Sequence, residues 1–261
     1  MSPAPETLDG WYALHDIRYI DWTGWKDLTP AQREEAVAEA QAFLAAAERV
    51  EDAPEGSSAC YAVLGHKGDL LFLHFRPTLD ALLALEQRLN RLALARFLRP
   101  ATSFVSVVEL SQHGAAARAA AGEAAPGGGG APSPEDQAYL ERRLKPKVPE
   151  MGYICFYPMS KRRGEQLNWY TLPPMERAEL MKEHGLTGRK YAGKVIQVVT
   201  GAMGLDDWEW GVTLFSDDPL QFKKIVYEMR FDQVSAKYGL FGSFYVGRRL
   251  TPASLAEFLK V

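Results

Sequence analysis

Residues 114–134 read GAAARAAAGEAAPGGGGAPSP and divide the chain into two parts of similar length. Four consecutive glycines with prolines close on both sides cannot build a hydrophobic core, so we predict a flexible connector here. The parts on either side, residues 1–113 and 135–261, are each long enough for one small domain. The sequence therefore predicts two modules and a connector.

Both parts show the same order of hydrophobic patterns: a strand, a helix, a hairpin, a second helix and a last strand. In the first part we predict strands at 10–20, 59–64, 70–76 and 103–110, and helices from Thr29 and at 79–98. In the second part we predict strands at 153–157, 194–200, 208–215 and 242–247, and helices at 174–184 and 219–238. This order, β-α-β-β-α-β, is that of a ferredoxin-like module. Two such modules in one chain predict an α+β fold, a dimeric α+β barrel with outer helices and a cavity between sheet and helices.

The composition excludes several classes of protein. The chain has a net charge of −3 and a sequence pI near 6.0, which argues against nucleic acid as its main partner. Its apolar runs are shorter than the ~20 residues that cross a membrane, and the N-terminus lacks the pattern of a signal peptide. The two cysteines, Cys60 and Cys155, form neither a disulfide framework nor a zinc pattern. We therefore expect a cytoplasmic protein.

The most basic part of the sequence surrounds a predicted strand. Residues 152–163 read GYICFYPMSKRR, so an apolar strand ends near the phenol of Tyr157 and then runs into cations. Seven Lys or Arg and one acid, Glu150, lie between Arg142 and Arg163. A phenol beside cations suits a small polyanion held against a side chain that can be oxidised. A solvated basic loop is the alternative interpretation.

Two further residues are candidates for a site. His184 falls in the last turn of the predicted helix at 174–184, before Gly185, where it could complement the helix dipole. It could also ligate a metal; one histidine without partners does not make a zinc site but can hold the iron of a haem. Gln197 lies in an apolar strand and either faces outward or donates a hydrogen bond into the cavity.

Four stretches of the second part resemble the chlorite dismutase-like haem proteins, and within them the coproheme decarboxylase branch. They are YICFYPMSKRR at 153–163, HGLTGRKYAGKV at 184–195, GLDDWEWG at 204–211 and YEMRFDQVSAKYG at 227–239. The first part agrees more diffusely, through residues 10–16 and 106–110. The resemblance implies two ferredoxin-like modules in each subunit of a homopentamer.

The resemblance also implies a reaction. Hydrogen peroxide would drive the oxidative decarboxylation of two propionates of iron-coproporphyrin III to vinyl groups, giving haem b through a tyrosyl radical. A ferrochelatase would be a possible supplier of the substrate. The alternatives are a non-catalytic haem carrier or sensor, a chlorite-degrading enzyme or weak peroxidase, and a ferredoxin-like module without haem.

The residue roles implied by the resemblance concern seven positions. His184 resembles the proximal iron ligand, Tyr157 the redox-active tyrosine, and Lys161 the cation near the second reacting propionate. The remaining matches are Arg143 and Ser235 as propionate anchors, Arg189 at the pocket periphery, and Gln197 at the distal position. Chlorite dismutases carry arginine at that distal position, so glutamine favours the decarboxylase branch.

Overall fold

The computed structural model describes residues 7–111 and 133–260. The first half contains β1 (Thr7–Ile20), α1 (Trp22–Lys26), α2 (Pro30–Glu48), β2 (Ser57–Val63), β3 (Leu70–Arg76), α3 (Leu79–Arg91) and β4 (Leu98–Ser111). The second half contains α4 (Pro134–Leu144), β5 (Tyr153–Lys161), α5 (Pro174–Arg189), β6 (Ile196–Gly201), β7 (Trp210–Ser216), α6 (Leu220–Met229), β8 (Gly239–Phe241), β9 (Tyr245–Leu250) and α7 (Pro252–Phe258). Short helical turns occupy Ala93–Phe97 and Trp169–Thr171, and a π-helical turn occupies Val234–Tyr238.

The strands of the described chain form one antiparallel sheet that closes on itself. Its order is β7-β6-β4-β1-β3-β2-β9-β5-β8, and the pairing of β7 with β5 closes the barrel. Within each half the main strands follow the ferredoxin-like order: β4-β1-β3-β2 in the first and β9-β5-β7-β6 in the second. The halves join reciprocally, because β4 pairs with β6 and β2 pairs with β9. The predicted α+β barrel of two ferredoxin-like modules is confirmed.

Alternation along β5 separates two cores. Ile154 and Phe156 point into the barrel, where they pack with residues of the other strands. Cys155 and Tyr157 point outward and pack under α6, against Phe222. The outer face of the first half is covered in the same way by α2 and α3. The space between the second half of the sheet and its helices is therefore distinct from the barrel interior.

Local signals place α2 where the sequence predicts it. Thr29 is the N-cap, Pro30 is the first helical residue, and Gln32 completes the capping box. Cys60 and Cys155 are free and buried, as expected from their apolar surroundings. None of the helices within residues 7–111 and 133–260 is long and apolar enough to cross a membrane.

Three helix boundaries differ from the prediction. The helix predicted at 79–98 ends at Arg91, because Leu92 is extended and the chain must enter β4 at Leu98 to pair with β1. The helix predicted at 219–238 ends at Met229 and gives way to the π-helical turn. The helix predicted at 174–184 continues through Gly185 to Arg189, since one glycine costs a helix only about 1 kcal/mol.

Helix α4 has no counterpart in the sequence prediction. Ser133 caps it and Pro134 is its first residue, so the last two positions of the proposed connector belong to this helix. Gly10 allows it to approach β1, because a Cβ there would lie 2.0 Å from the Leu144 carbonyl oxygen. Residues 114–132 of the connector lie outside the described part of the chain. The module boundaries stay a prediction.

Two buried histidines make the fold sensitive to acid. The His15 ring is fully buried, stacks on Phe156 and hydrogen-bonds through Nε2 with the Thr213 hydroxyl at 2.8 Å. The His74 ring hydrogen-bonds through Nδ1 with the Ser58 hydroxyl at 2.8 Å. Burial lowers the pKa of each imidazole to about 3; His74 adds to the shift at His15, and Arg76 adds to the shift at His74, where Asp52 opposes it. Both rings are therefore neutral in the folded protein at neutral pH.

We expect the free energy of unfolding to fall as the pH drops below 6.5, since the unfolded chain takes up protons that the native state refuses. Each histidine contributes at most about 1.4 kcal/mol per pH unit. Urea unfolding at pH 7.0 and 5.5 measures this slope, and His74→Asn should reduce it. The exposed His66→Asn is the matched control; an equal slope in wild type and His74→Asn would contradict the assignment.

Candidate functional site

The candidate site lies on the outer face of β5, β6 and β7, beneath α6, against which α5 packs. Tyr157 of β5 pairs with Val212 of β7, and Val212 pairs with Val199 of β6, so these three side chains share one face. Gln197 of β6 pairs with Leu214 of β7, two residues along each strand from Val199 and Val212, and so its side chain lies on the same face. The face thus carries a phenol and an amide within an otherwise apolar surface.

Contacts between α5 and α6 fix the cover of this face. Glu228 of α6 forms an ion pair with Lys190 and accepts a hydrogen bond from the Tyr191 hydroxyl at 2.9 Å. Gly188 lets the two helices approach closely, because a Cβ there would lie 3.2 Å from Met229 Cε. These contacts fix the end of the helix that carries His184 against α6.

His184 is tied to a buried carboxylate. Its Nδ1 lies 2.8 Å from Oδ2 of Asp232, whose side chain is 3% exposed, and Nδ1–H is the donor when the carboxylate is ionised. Asp232 also accepts hydrogen bonds from the Ser235 backbone N–H at 2.7 Å and the Ser235 hydroxyl at 3.3 Å. This arrangement directs the lone pair of Nε2 away from Asp232, as in histidines that bind metals.

Asp232 stays ionised despite its burial. Burial alone would raise the pKa of this carboxyl, but the hydrogen bonds from His184 and Ser235 outweigh it and hold the pKa below its ordinary range. Because α5 continues five residues beyond His184, the imidazole does not sit at a helix end, and the helix-dipole interpretation is wrong. The hydrogen bond to Asp232 is what positions the ring.

Tyr157 presents a neutral phenol. Its ring stacks on Phe244 with a centroid distance of 4.4 Å and also contacts Phe241. Burial raises the pKa of the phenol well above its ordinary value, although the cation of Arg230 opposes this shift. Arg230 itself lies over Phe241, with its guanidinium carbon 3.8 Å from the ring centroid. A guanidinium therefore approaches the phenol from the end of α6.

Lys161 is a buried cation at the end of β5. It lies on the same face as Tyr157, four residues further along the strand, and is 9% exposed. Its ammonium lies 4.9 Å from the Trp169 ring centroid and forms no ion pair with any residue of 7–111 or 133–260. Burial lowers the pKa of Lys161 to about 8, against the attraction of Asp232 and Glu209. An ammonium in such a place gains from an anionic ligand.

The remaining predicted residues are placed less uniformly. Gln197 is exposed on the site face, and Ser235 is buried against Asp232. Arg189 is exposed in the last turn of α5. Arg143 lies on α4, which packs on β1 and β4, and its guanidinium donates a hydrogen bond to the Tyr139 hydroxyl at 3.5 Å. The fold thus places Tyr157, Lys161 and Gln197 on one face of the sheet and joins His184 and Ser235 through Asp232, whose charge acts on Lys161; it does not bring Arg143 into that set.

Sequence reasoning missed three residues of this site. Asp232, Arg230 and Trp169 contact or approach His184, Tyr157 and Lys161 respectively. Asp232 carries a local signal, since an aspartate three residues before Ser235 can accept its backbone N–H. Its partner His184 is 48 positions away, and no local pattern links the two.

The donor set fits an iron macrocycle that carries carboxylates. A single imidazole nitrogen can ligate iron on one side, while cations and hydroxyls on the surrounding elements can hold acid groups. Within the described ranges, no cluster of three His, Cys, Asp or Glu side chains could hold a metal ion by itself.

Comparison with known proteins agrees with this arrangement. A coproheme decarboxylase of Thermus thermophilus is 52% identical over 258 residues, which cover 98% of this chain and 97% of that protein. The solved structure of a heme-binding protein from Thermus thermophilus superposes with a TM-score of 0.89 at 50% identity, covering 100% of this chain and 99% of the other. A variant of chlorite dismutase from Candidatus Nitrospira defluvii gives a TM-score of 0.74 at 19% identity, covering 97% and 96%, and so shares the fold.

The model of the chlorite dismutase family matches residues 33–250, which include every strand of the barrel except β1 and every site residue described above. On this match and on the identity to a relative along nearly the whole chain, the protein belongs to the chlorite dismutase family.

Proposed function

We propose that this protein is a coproheme decarboxylase, which converts two propionates of iron-coproporphyrin III to vinyl groups and so yields haem b. The observation that carries the proposal is a sheet face with a neutral phenol and a buried ammonium that has no ion-pair partner among the described residues, together with an Asp232-bound imidazole on helix α5. A non-catalytic haem site needs the imidazole but gives no reason to bury Tyr157 and Lys161 beside it. The name of the Thermus thermophilus relative supports the same activity.

Binding would rest on His184 and on the cations of the site. His184 would ligate the iron through Nε2, with Asp232 fixing the ring and strengthening its basicity through Nδ1–H. Lys161 and Arg230 would pair with propionates, Arg189 would lie at the periphery of the pocket, and Gln197 would lie on the distal side. When bound, the iron macrocycle would supply the redox chemistry by reacting with hydrogen peroxide.

Tyr157 would carry out the first hydrogen transfer. A neutral phenol can lose an electron and a proton together to give a neutral radical, which then abstracts a hydrogen atom from the β-carbon of the propionate. Its burial keeps the hydroxyl protonated at neutral pH, and Phe244 and Phe241 fix the ring. Each decarboxylation releases CO₂ and removes two electrons and two protons, which one hydrogen peroxide takes up as two waters.

Lys161 would hold the propionate that reacts second. The ammonium has an aromatic neighbour but no ion-pair partner among the described residues, so an incoming carboxylate relieves the cost of its burial. Gln197 would face the peroxide side as a hydrogen-bonding amide. An amide is neither a strong acid nor a cation, which is why we favour decarboxylation over chlorite decomposition or peroxidase cycling.

We extend the proposal to the setting of the enzyme. A homopentamer would cover part of the exposed apolar surface, and Met175 and Phe231 are examples of large side chains that need such cover. We also propose a cytoplasmic location and supply of the substrate by a ferrochelatase. Ser235 and Arg143 are proposed as propionate anchors, and residues 114–134 as the connector between modules 1–113 and 135–261.

The proposal is tested by titrating the purified protein with ferric coproheme and then adding hydrogen peroxide. We expect a shifted Soret band on binding, followed by mono- and divinyl products in the mass spectrum. His184→Ala should lose the wild-type Soret position, whereas Glu183→Ala, the exposed neighbour on α5, should keep it. Binding without vinyl products would indicate a haem carrier, and oxygen release from chlorite would indicate a dismutase.

Tyr157→Phe should bind coproheme normally but lose the first decarboxylation by at least about 100-fold, because phenylalanine has no hydroxyl hydrogen to give. Single-turnover mass spectrometry measures this rate. Tyr153→Phe is the matched control, since Tyr153 lies on the same strand and the same face. Turnover at the wild-type rate in Tyr157→Phe would remove this tyrosine from the mechanism.

Lys161→Ala should complete the first decarboxylation and accumulate the monovinyl product, because the second propionate loses its charged partner. Loss of one charge-assisted hydrogen bond corresponds to a second step slower by about 10- to 100-fold. Arg162→Ala is the control, because Arg162 is the next residue in the chain and its side chain is exposed. Divinyl product formed at the usual rate would mean that another residue holds this propionate.

A further inference from the structure

Glu209 is a buried carboxylate at the end of β5 that the proposed mechanism leaves without a role. It immediately precedes β7 and is 7% exposed. Its Oε2 accepts a hydrogen bond from the Lys161 backbone N–H at 2.7 Å, and its own N–H donates to the Ser160 hydroxyl at 3.2 Å. Glu209 is therefore bound to the two residues that end the strand.

The same carboxylate meets the chain that follows the strand. Its Oε1 lies 3.5 Å from Nε of Arg163, whose side chain is largely exposed. The Trp169 N–H donates to the Arg162 carbonyl at 3.0 Å, which brings the Trp169 ring against the Lys161 ammonium. Glu209 therefore lies between the end of β5 and the segment from Arg163 to Trp169 that follows it.

Five groups set the charge around Lys161. Asp232 and Glu209 are the acids that favour the charged ammonium, and burial opposes them. Arg163 is a competing cation on Glu209, while the Tyr157 and Tyr170 phenols have pKa values raised above their ordinary range, first by burial. Asp232 contributes more than Glu209 to keeping the ammonium charged, and it also accepts hydrogen bonds from His184 and Ser235. Glu209 is the acid joined to Lys161 itself, because its carboxylate accepts the Lys161 backbone N–H, and it also raises the pKa of the Tyr170 phenol.

We propose that Glu209 is a positioning residue that fixes the end of β5 and keeps the Lys161 ammonium charged where it meets an anionic substrate. The identity of that anion, the second propionate to react, rests on the proposed function. The placement and charge of Lys161 do not depend on it, because they arise within the protein. Loss of the Glu209 charge should therefore affect the second decarboxylation and leave the first nearly unchanged.

The first arm of the test uses the ligand-free protein. The ¹³Cε resonance of Lys161, assigned by its absence in Lys161→Met, is titrated with pH in lysine-labelled protein. Glu209→Gln keeps an oxygen that can accept the Lys161 N–H but removes the charge, so the midpoint should move to lower pH. Arg163→Gln removes the competing cation at an exposed position and should move the midpoint to higher pH. Glu165→Gln, exposed in the following loop, is the matched control.

The second arm uses coproheme and hydrogen peroxide. In Glu209→Gln we expect the second decarboxylation to slow about tenfold, as loss of one charged contact implies, with the first within twofold of wild type. The Glu209→Gln, Lys161→Ala double variant should be no slower than Lys161→Ala, since both changes act through one ammonium.

The outcomes separate the two proposals. An unmoved midpoint in Glu209→Gln, or shifts of the same sign in Glu209→Gln and Arg163→Gln, would overturn the role of Glu209 whatever the reaction. Additive losses in the double variant, or equal loss of both decarboxylations, would do the same. If the midpoints of Glu209→Gln and Arg163→Gln shift in opposite directions but the wild-type protein forms no vinyl product, the role of Glu209 stands and the decarboxylase activity is rejected.

Discussion

The site depends on the pairing of β5 with β7 on one side and β9 on the other. This double pairing fixes the strand rigidly, and the alternation of its side chains then decides what lies on each face. Phe156 goes into the barrel, where it stacks on His15, while Tyr157 and Lys161 go outward beneath the helices. A shift in register of one residue would exchange the phenol for the phenylalanine and abolish the site.

The charged groups of the site follow from the cost of burial. Three ionisable side chains, those of Asp232, Lys161 and Glu209, are buried within a few residues of strand and helix ends. The two carboxylates are satisfied by an imidazole and by backbone N–H groups, whereas the ammonium has an aromatic ring and no ion-pair partner in the described chain. The desolvation cost of this ammonium is not compensated within the described chain, whereas that of the neighbouring carboxylates is. Such an arrangement is typical of a ligand-binding site.

Much of this architecture was accessible from the sequence. Strand alternation, the capping box at Thr29 and the repeated order of elements predicted the barrel, because these signals are local. The C-terminal ends of α3, α5 and α6 were not predicted, because tertiary contacts set them. After α3 the chain must pair β4 with β1, and after α6 it must bring Asp232 to His184. The resemblance to the family identified the site residues that lie in its sequence motifs. The contacts of Asp232 with His184 and of Glu209 with Lys161 were not predicted, because each joins distant parts of the chain.

The reciprocal joining of the two halves has a consequence for how such a barrel can arise. Each half contributes its second and fourth main strands to the other, through β2–β9 and β4–β6. The seams would therefore be satisfied equally well by two separate polypeptides, each folding as a four-stranded unit and docking with its counterpart. A single ancestral unit that paired with its own copy would give this topology directly. Once two copies were fused, their outer faces would diverge independently: the first is packed by α2 and α3, and the second carries Tyr157 and Gln197 beside α6.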